Sequence, residues 1–240
     1  ACYLNSSLSK TKRQETLELI KLKKIKLIYI SPERLKSEEF IRVIKKIKIG
    51  MIVIDESHCI SQWGSDFRPS YKEISNFYQY INKGVVKVAF TATANKVVQK
   101  DICKTLDLKN PFLFLKSFSR KNLNLEIIKC ENETIKNLAL IRIINKHKNQ
   151  SGIIYCSTRK TTENLVGFLQ KYNISTANYH GAIKKNKKEM IQNAFINGNQ
   201  KLIIATNAFG MGIDKADIRF VVHYQIPGNI ENYYQEIGRA

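Results

Sequence analysis

Apolar positions fall along this chain in short continuous runs, each followed by a turn signal and then by residues with helical spacing. The runs at 27–30, 49–54, 85–90, 151–156, 201–205 and 220–223 are rich in β-branched side chains. Runs of that length, apolar on both faces, fit strands buried in a parallel sheet. Helical spacing occupies the intervals. Thr11 with Gln14 resembles a capping box ahead of Leu17 and Ile20. Residues 37–48, 71–81 and 96–106 read as helices, the second with an aromatic stripe of Phe77, Tyr78 and Tyr80 expected to pack. Further on, Leu165, Phe168, Leu169 and Tyr172 share one helical face, and Asn186 with Glu189 opens a helix that Gly198 closes. Strand-helix alternation of this kind predicts an α/β fold, with mainly parallel sheets flanked by helices. The period lapses at Asn110-Pro111 and returns with a strand expected at 123–129. That gap places a boundary near 117–119 and predicts two domains, 1–118 and 119–240.

Candidate chemistry sits where the runs end. Asp55 and Glu56 follow the run 49–54 directly, at the sheet edge where α/β folds bind ligands. An Asp there can hold Mg²⁺ and a neighbouring Glu can deprotonate an attacking water; a helix cap with a favourable first-turn acid is the plain alternative. Trp63, Phe67 and Arg68 follow in a stretch with Gly64 and Pro69, where no hydrophobic period would bury them, and such groups can stack on unpaired bases. Thr91-Ala92-Thr93-Ala94 ends the next run, although any strand-to-helix cap can be written this way. Gly210 and Gly212 bracket Met211, where the backbone can approach a phosphate or simply turn. Arg34, just after Ser31-Pro32, suits a phosphate or a salt bridge at a helix start.

Charge narrows the partners. The 240 residues carry 40 Lys+Arg against 20 Asp+Glu, a net +20. Such a field favours polyanions, nucleic acid first and an acidic membrane surface second; a lysine-rich composition set by nucleotide bias would give the same number. Hydrophobic residues at 43% suffice for packed cores. The five cysteines show no zinc-knuckle spacing, and His58-Cys59 has no partner pair to complete a metal site. Reduced thiols in an intracellular protein are expected, cytoplasmic in a bacterium or nuclear in a eukaryote. No apolar stretch reaches membrane-spanning length, so no membrane partner is expected.

The stretch from Asp55 to Pro69 resembles motif II and the aromatic-rich loop of RecQ-family DNA helicases, a branch of superfamily 2. Ser57 stands where that family usually has Ala. Ser65 stands where it has a His that couples DNA binding to hydrolysis. Ser31 to Leu35 resembles motif Ib, Thr91 to Ala94 motif III, Ser157-Thr158-Arg159 motif IV, and Thr206 to Lys215 motif V. Phe118 to Leu123 resembles the junction between domains, with Lys121 where Pro is common, and Gln235 to Arg239 resembles the start of motif VI.

The resemblance implies two RecA-like lobes, and a 3′-to-5′ DNA helicase of repair and recombination that uses ATP and Mg²⁺. Asp55 would hold Mg²⁺ through water and Glu56 would polarise the attacking water. Gln235 and Arg239 would line the facing wall, with Gly212 and Asp214 also toward the nucleotide. Thr91 and Thr93 would sense closure, and Trp63, Phe67 and Arg68 would couple it to DNA. Arg34, Trp63, Arg68, Thr206 and Asn207 would touch the nucleic acid, single strands and duplex junctions being the expected ligands of a monomer. No Gly-x-x-x-x-Gly-Lys-Ser/Thr occurs, and the second Arg of motif VI is absent. The chain is therefore expected to be an internal piece of such a core, its first lobe incomplete, inactive alone, and more stable in its second half. The rival expectation is a nucleic-acid-binding remnant without catalysis. An RNA helicase fits less well, because Gln62-Trp63-Gly64 with Phe67-Arg68-Pro69 resembles the DNA-unwinding branch.

Overall fold

A computed structural model describes residues 1–5, 8–62, 67–116, 120–210 and 213–240. The chain divides into two compact units, Ala1–Leu115 and Lys116–Ala240. The boundary read from the sequence falls on residues 117–119, outside the described residues.

The first unit runs β1 (Cys2–Leu4), α1 (Lys10–Lys21), β2 (Ile28–Ile30), α2 (Glu38–Ile44), β3 (Met51–Ile54), α3 (Glu73–Phe77), β4 (Val86–Ala89) and α4 (Lys96–Thr105). Its strands form two parallel pairs, β1 with β2 and β3 with β4. In the second pair Met51 faces Val86 and Ile54 faces Ala89. One apolar core, including Leu17, Ile20, Phe40, Ile44, Ile54, Phe77, Ile102 and Leu106, joins helices to strands.

Local chemistry moves several boundaries from where spacing puts them. Helix α1 opens at Ser9, whose hydroxyl accepts from the Lys12 amide, and not at Thr11 with Gln14. The stretch 71–81 is no single helix: a 3₁₀ turn at Pro69–Lys72, α3 and a second 3₁₀ turn at Tyr78–Tyr80 divide it. Phe77 alone of its aromatic stripe is fully buried, stacked on Phe40 with centroids 5.8 Å apart. The strand expected at 123–129 pairs with nothing among the described residues. Its alternation has no neighbouring ladder to bury it, and Ile127 is 98% exposed.

The second unit runs α5 (Glu133–Lys146), β5 (Ser151–Tyr155), α6 (Arg159–Gln170), β6 (Ala177–Tyr179), α7 (Lys185–Ile196), β7 (Leu202–Ala205), β8 (Ile218–His223) and α8 (Ile230–Ile237). All four strands are parallel, in the order β6-β7-β5-β8. Strands β5 and β7 are buried at every position, as continuous apolar runs covered on both faces must be. Leu165 and Leu169 of α6 are buried while Tyr172 beyond its end is exposed. Helix α7 starts after Lys184 without a side-chain cap, and Gly198 at φ +78° turns the chain away from its end.

Candidate active site

In the first unit the chemistry gathers at the carboxyl ends of β3 and β4. The ladder continues past the strands: the Phe90 amide donates to the Ile54 carbonyl (2.8 Å) and the Ser57 amide to the Phe90 carbonyl (2.9 Å). This lock brings residues 55–58 alongside Thr91. Asp55 is exposed, and its Oδ1 accepts from the Glu56 amide at 2.8 Å. Glu56 adopts φ 48°, ψ 41°, the left-handed conformation that non-glycine residues avoid. Strain of this kind clusters at functional sites.

After Glu56 the chain enters a buried 3₁₀ turn, Ser57–Ile60. Its His58 is 2% exposed, and Nδ1 lies 2.9 Å from Thr91 Oγ1 and 3.4 Å from Glu56 Oε2. Thr91 donates its one hydroxyl hydrogen to the Thr93 carbonyl (3.0 Å), so toward His58 it must accept. The proton on Nδ1 therefore points at Thr91, and Nε2 is left as acceptor for the Cys59 thiol, 3.8 Å away. The Thr93 amide also donates to Thr91 Oγ1 (3.3 Å). Glu56, His58, Thr91 and Thr93 thus form one chain of contacts across two strand ends.

In this unit, His58 and Tyr71 are the residues that sequence reasoning missed. The Tyr71 hydroxyl donates to the Asp55 carbonyl at 3.3 Å. Burial pushes its pKa up to about 12, helped by the negative field of Cys59, Glu56 and Asp55 and opposed by Arg68. The signal for His58 was its burial-prone neighbourhood, Ser57 to Ile60, directly after the acid pair.

The other expected residues of this unit divide. Trp63 lies outside the described residues. The Arg68 amide donates to the Cys59 carbonyl (2.9 Å), which folds the end of the aromatic stretch back under the 3₁₀ turn. Lys72 Nζ sits over the Phe67 ring, 5.2 Å from its centroid. Arg34 donates through Nη2 to the Asn5 carbonyl at 3.2 Å. Beside it, a small cavity of about 10 Å³ is lined by Leu4, Arg13, Ser37 and Phe40.

In the second unit the corresponding sheet edge holds a second set. Tyr155 ends β5 and donates to the Phe209 carbonyl at 2.8 Å. Burial raises its pKa; Glu236 adds to that and Arg239 opposes it. His223, ending β8, stacks on Tyr155 (5.7 Å between centroids) and holds Glu236 Oε2 at 2.8 Å. Helix α8 is thereby fixed one residue from Gln235. Arg239, beyond its end, donates through Nη1 to the Ile213 carbonyl at 3.0 Å. Arg239 accordingly meets Ile213 and lies near Gly210, while Gly212 is outside the described residues. Thr206 is half-buried and takes the Ala208 amide on its hydroxyl (3.4 Å), and Asn207 and Asp214 are exposed. Gln235 is half-buried with no side-chain hydrogen bond among the described residues.

Asp55 fits a hydrated divalent cation. It is an oxygen ligand in the open, with one carboxylate oxygen held by a backbone amide and the other without a partner among the described residues.

Comparison with known proteins adds to this geometry. Residues 2–101 match the DEAD/DEAH box helicase family, and residues 135–240 the helicase conserved C-terminal domain. The ATP-dependent DNA helicase RecQ of Bacillus subtilis is 41% identical over 240 residues, covering 100% of this chain and 40% of that protein. The ATP-dependent DNA helicase hus2/rqh1 of Schizosaccharomyces pombe is 43% identical over 225 residues, covering 90% of this chain and 16% of that protein. The chain therefore spans less than half the length of these relatives. Among solved structures, the DEAD-box helicase Mss116 bound to ssRNA and UDP-BeF aligns over 100% of this chain and 50% of its own, with a TM-score of 0.81 and 21% identity. That likeness is one of fold, the RecA-like helicase core.

Proposed function

The chain belongs to the RecQ family of helicases, and from that membership we propose that it carries part of the machinery of an ATP-dependent, 3′-to-5′ DNA helicase. Bound Mg²⁺ with ATP supplies the phosphoryl group and the charge neutralisation that hydrolysis requires. Asp55 would hold the hydrated cation through the carboxylate oxygen that the Glu56 amide leaves open. Glu56 aligns the attacking water and takes its proton. Through His58, a displacement of Glu56 is felt at Thr91 and Thr93, so the state of the nucleotide site reaches the second strand end. Gln235 of α8 and Arg239 just beyond it bind phosphate oxygens, along with Gly212 and Asp214. Arg34, Trp63, Phe67, Arg68, Thr206 and Asn207 contact the single strand. The two RecA-like units act as a monomer on single strands and duplex junctions, inside the cell.

The observation that carries this proposal is Glu56, held left-handed and within 3.4 Å of a buried histidine that also contacts Thr91. A first-turn acid serving only as a helix cap needs neither the strain nor the partner. The rival, a binding remnant without catalysis, gives no role to that contact chain.

The test uses Glu56→Gln. The 240 residues contain no Gly-x-x-x-x-Gly-Lys-Ser/Thr, so by themselves they should show no DNA-stimulated ATPase. In a protein that joins these residues to a phosphate-binding loop, Glu56→Gln should keep ATP affinity and lower kcat by about 10²–10⁴-fold, the usual worth of a positioned base. Normal turnover by that variant would remove Glu56 from the mechanism. Stimulation by RNA equal to that by DNA would overturn the DNA assignment.

A further inference from the structure

The site just described occupies the carboxyl ends of β3 and β4. The opposite, amino-terminal end of the first unit is the more strongly charged one. Helix α1 runs out into a loop carrying Lys23, Lys24 and Lys26, all exposed. The helix closes with the Lys23 amide on the Ile20 carbonyl and the Lys24 amide on the Leu19 carbonyl, and Lys23 itself takes φ 57°. Glycine is the low-energy residue at such a left-handed helix end, and a lysine stands there instead. Helix α2 runs out likewise into Lys45, Lys46 and Lys48. The Ile49 amide donates to Asn82 Oδ1 at 2.8 Å, tying this second loop to the one that carries Lys83.

The acids nearby leave these charges unbalanced. Glu18 holds Lys21 at 3.1 Å, and Asp107 stands 3.8 Å from Lys87. Glu38, Glu39 and Glu73 are engaged by Arg42, Arg13 and Lys36. Lys45 lies over the Tyr80 ring. Among the described residues, Lys23, Lys24, Lys26, Lys46, Lys48 and Lys83 have no carboxylate within ion-pair distance, and all are exposed.

We propose that this amino-terminal face is a second nucleic-acid surface, one that grips the backbone of duplex DNA and is separate from the single-strand path. Three features select that ligand. Helices α1 and α2 pack together, with Arg13 on Glu39 and Leu17 and Ile20 in one core with Phe40 and Ile44. Both lysine loops lead into the amino ends of strands, β2 and β3, so their charges gather at one end of that core, suited to the line of phosphates that a duplex presents every ~1.7 Å along its axis. The charges are lysines, point charges that neutralise phosphate without reading bases. The ring beside these loops, Tyr80, is half-buried, covered by Lys45 and edge-on to Phe77, which makes it a poor stacking platform for an unpaired strand. Duplex entering the helicase would be held here while its separated strand crosses the other end.

The proposal rests on the duplex substrate of the helicase reading, but none of the six lysines belongs to that site. The experiment measures binding of a labelled duplex of about 20 base pairs by the 240-residue chain, from roughly 50 to 200 mM salt. Replacing Lys23, Lys24, Lys26, Lys46, Lys48 and Lys83 with Gln should weaken duplex affinity at least tenfold at the low-salt end. It should also flatten the log–log salt slope by about five, since each of the six neutralised phosphates contributes about 0.9. The sixfold Lys→Arg variant should retain both, and thermal melting should show all variants folded. Unchanged affinity and slope would overturn the proposal. So would an equal loss on a single strand of the same length. Because Leu22 and Leu27 are exposed beside these lysines, vesicles with anionic lipid and an acidic peptide are further probes. Loss confined to either of them would reassign the face. Lys171→Gln, exposed in the second unit, should leave duplex binding intact in the same assay. The ATPase assignment is read separately by turnover, so its failure and that of the duplex surface give different results.

Discussion

At the residue scale, Glu56 and His58 carry different burdens. The left-handed backbone costs an L-residue about 1–2 kcal/mol, and Glu56 bears that cost where glycine would not. Glycine would also give the unfolded chain more freedom, worth about 0.5–1 kcal/mol in the other direction. Glu56→Gly should therefore raise the stability of the first unit by about 0.5–1 kcal/mol, while removing the proposed base. His58 is a packed ring with two hydrogen-bonding nitrogens, both engaged. His58→Ala should cost about 2–4 kcal/mol, from the cavity and from the hydrogen bonds lost to Thr91 and Cys59. Urea melts of the two variants check both values. If Glu56→Gly proves as damaging as His58→Ala, the Glu56 side chain is a structural tie and its conformation has no functional meaning.

At the scale of elements, the strands were legible and their surroundings were not. Continuous apolar runs located β3, β5 and β7 to within a residue or two, because burial on both faces leaves a strand few polar options. Helix starts were less legible: Ser9 caps α1 two residues ahead of the expected Thr11, and α7 does without a side-chain cap. Any Ser, Thr or Asn near the first turn competes for that role, and tertiary packing chooses among them. The acid pair could be read from its place after a strand. The left-handed turn at Glu56 could not, because φ is set by the ladder bonds of Phe90 and Ser57. His58 was passed over because its partner, Thr91, is 33 residues away. Side-chain fit across the sheet is equally invisible in sequence. Gly152 in β5 faces Phe220 of β8, and a Cβ there would run into the phenyl ring. Gly152→Ala should destabilise the second unit by about 1–3 kcal/mol, and pairing it with Phe220→Leu should recover part of the loss. Additive losses in a double-mutant cycle would mean the two positions do not compete for space.

At the scale of the whole molecule, the two units differ in how completely their sheets are covered. In the first, two separate parallel pairs leave Met51, Val53, Val86 and Tyr29 exposed along the strands. In the second, a single four-stranded sheet buries its central strands β5 and β7 throughout. Buried apolar area per ordered residue is therefore larger in the second unit, and it should unfold later. Cysteines provide the readout, since Cys59 is buried in the first unit and Cys156 in the second. Burial pushes the Cys156 thiol up to about 12, so near pH 8 it reacts only when its unit opens and the pKa falls back to about 8.5. Because the folded state favours the protonated thiol, Cys156 leaves stability unchanged below pH 8.5 or so. Between there and pH 12 the second unit should lose stability as pH rises. In a urea series with brief maleimide pulses read by peptide mass spectrometry, the half-buried Cys2, Cys103 and Cys130 should label without denaturant. Cys59 should follow at intermediate urea and Cys156 last. Labelling of Cys156 before Cys59 would reverse the stability order, and labelling of both at one concentration would mean that the units unfold as a single cooperative body.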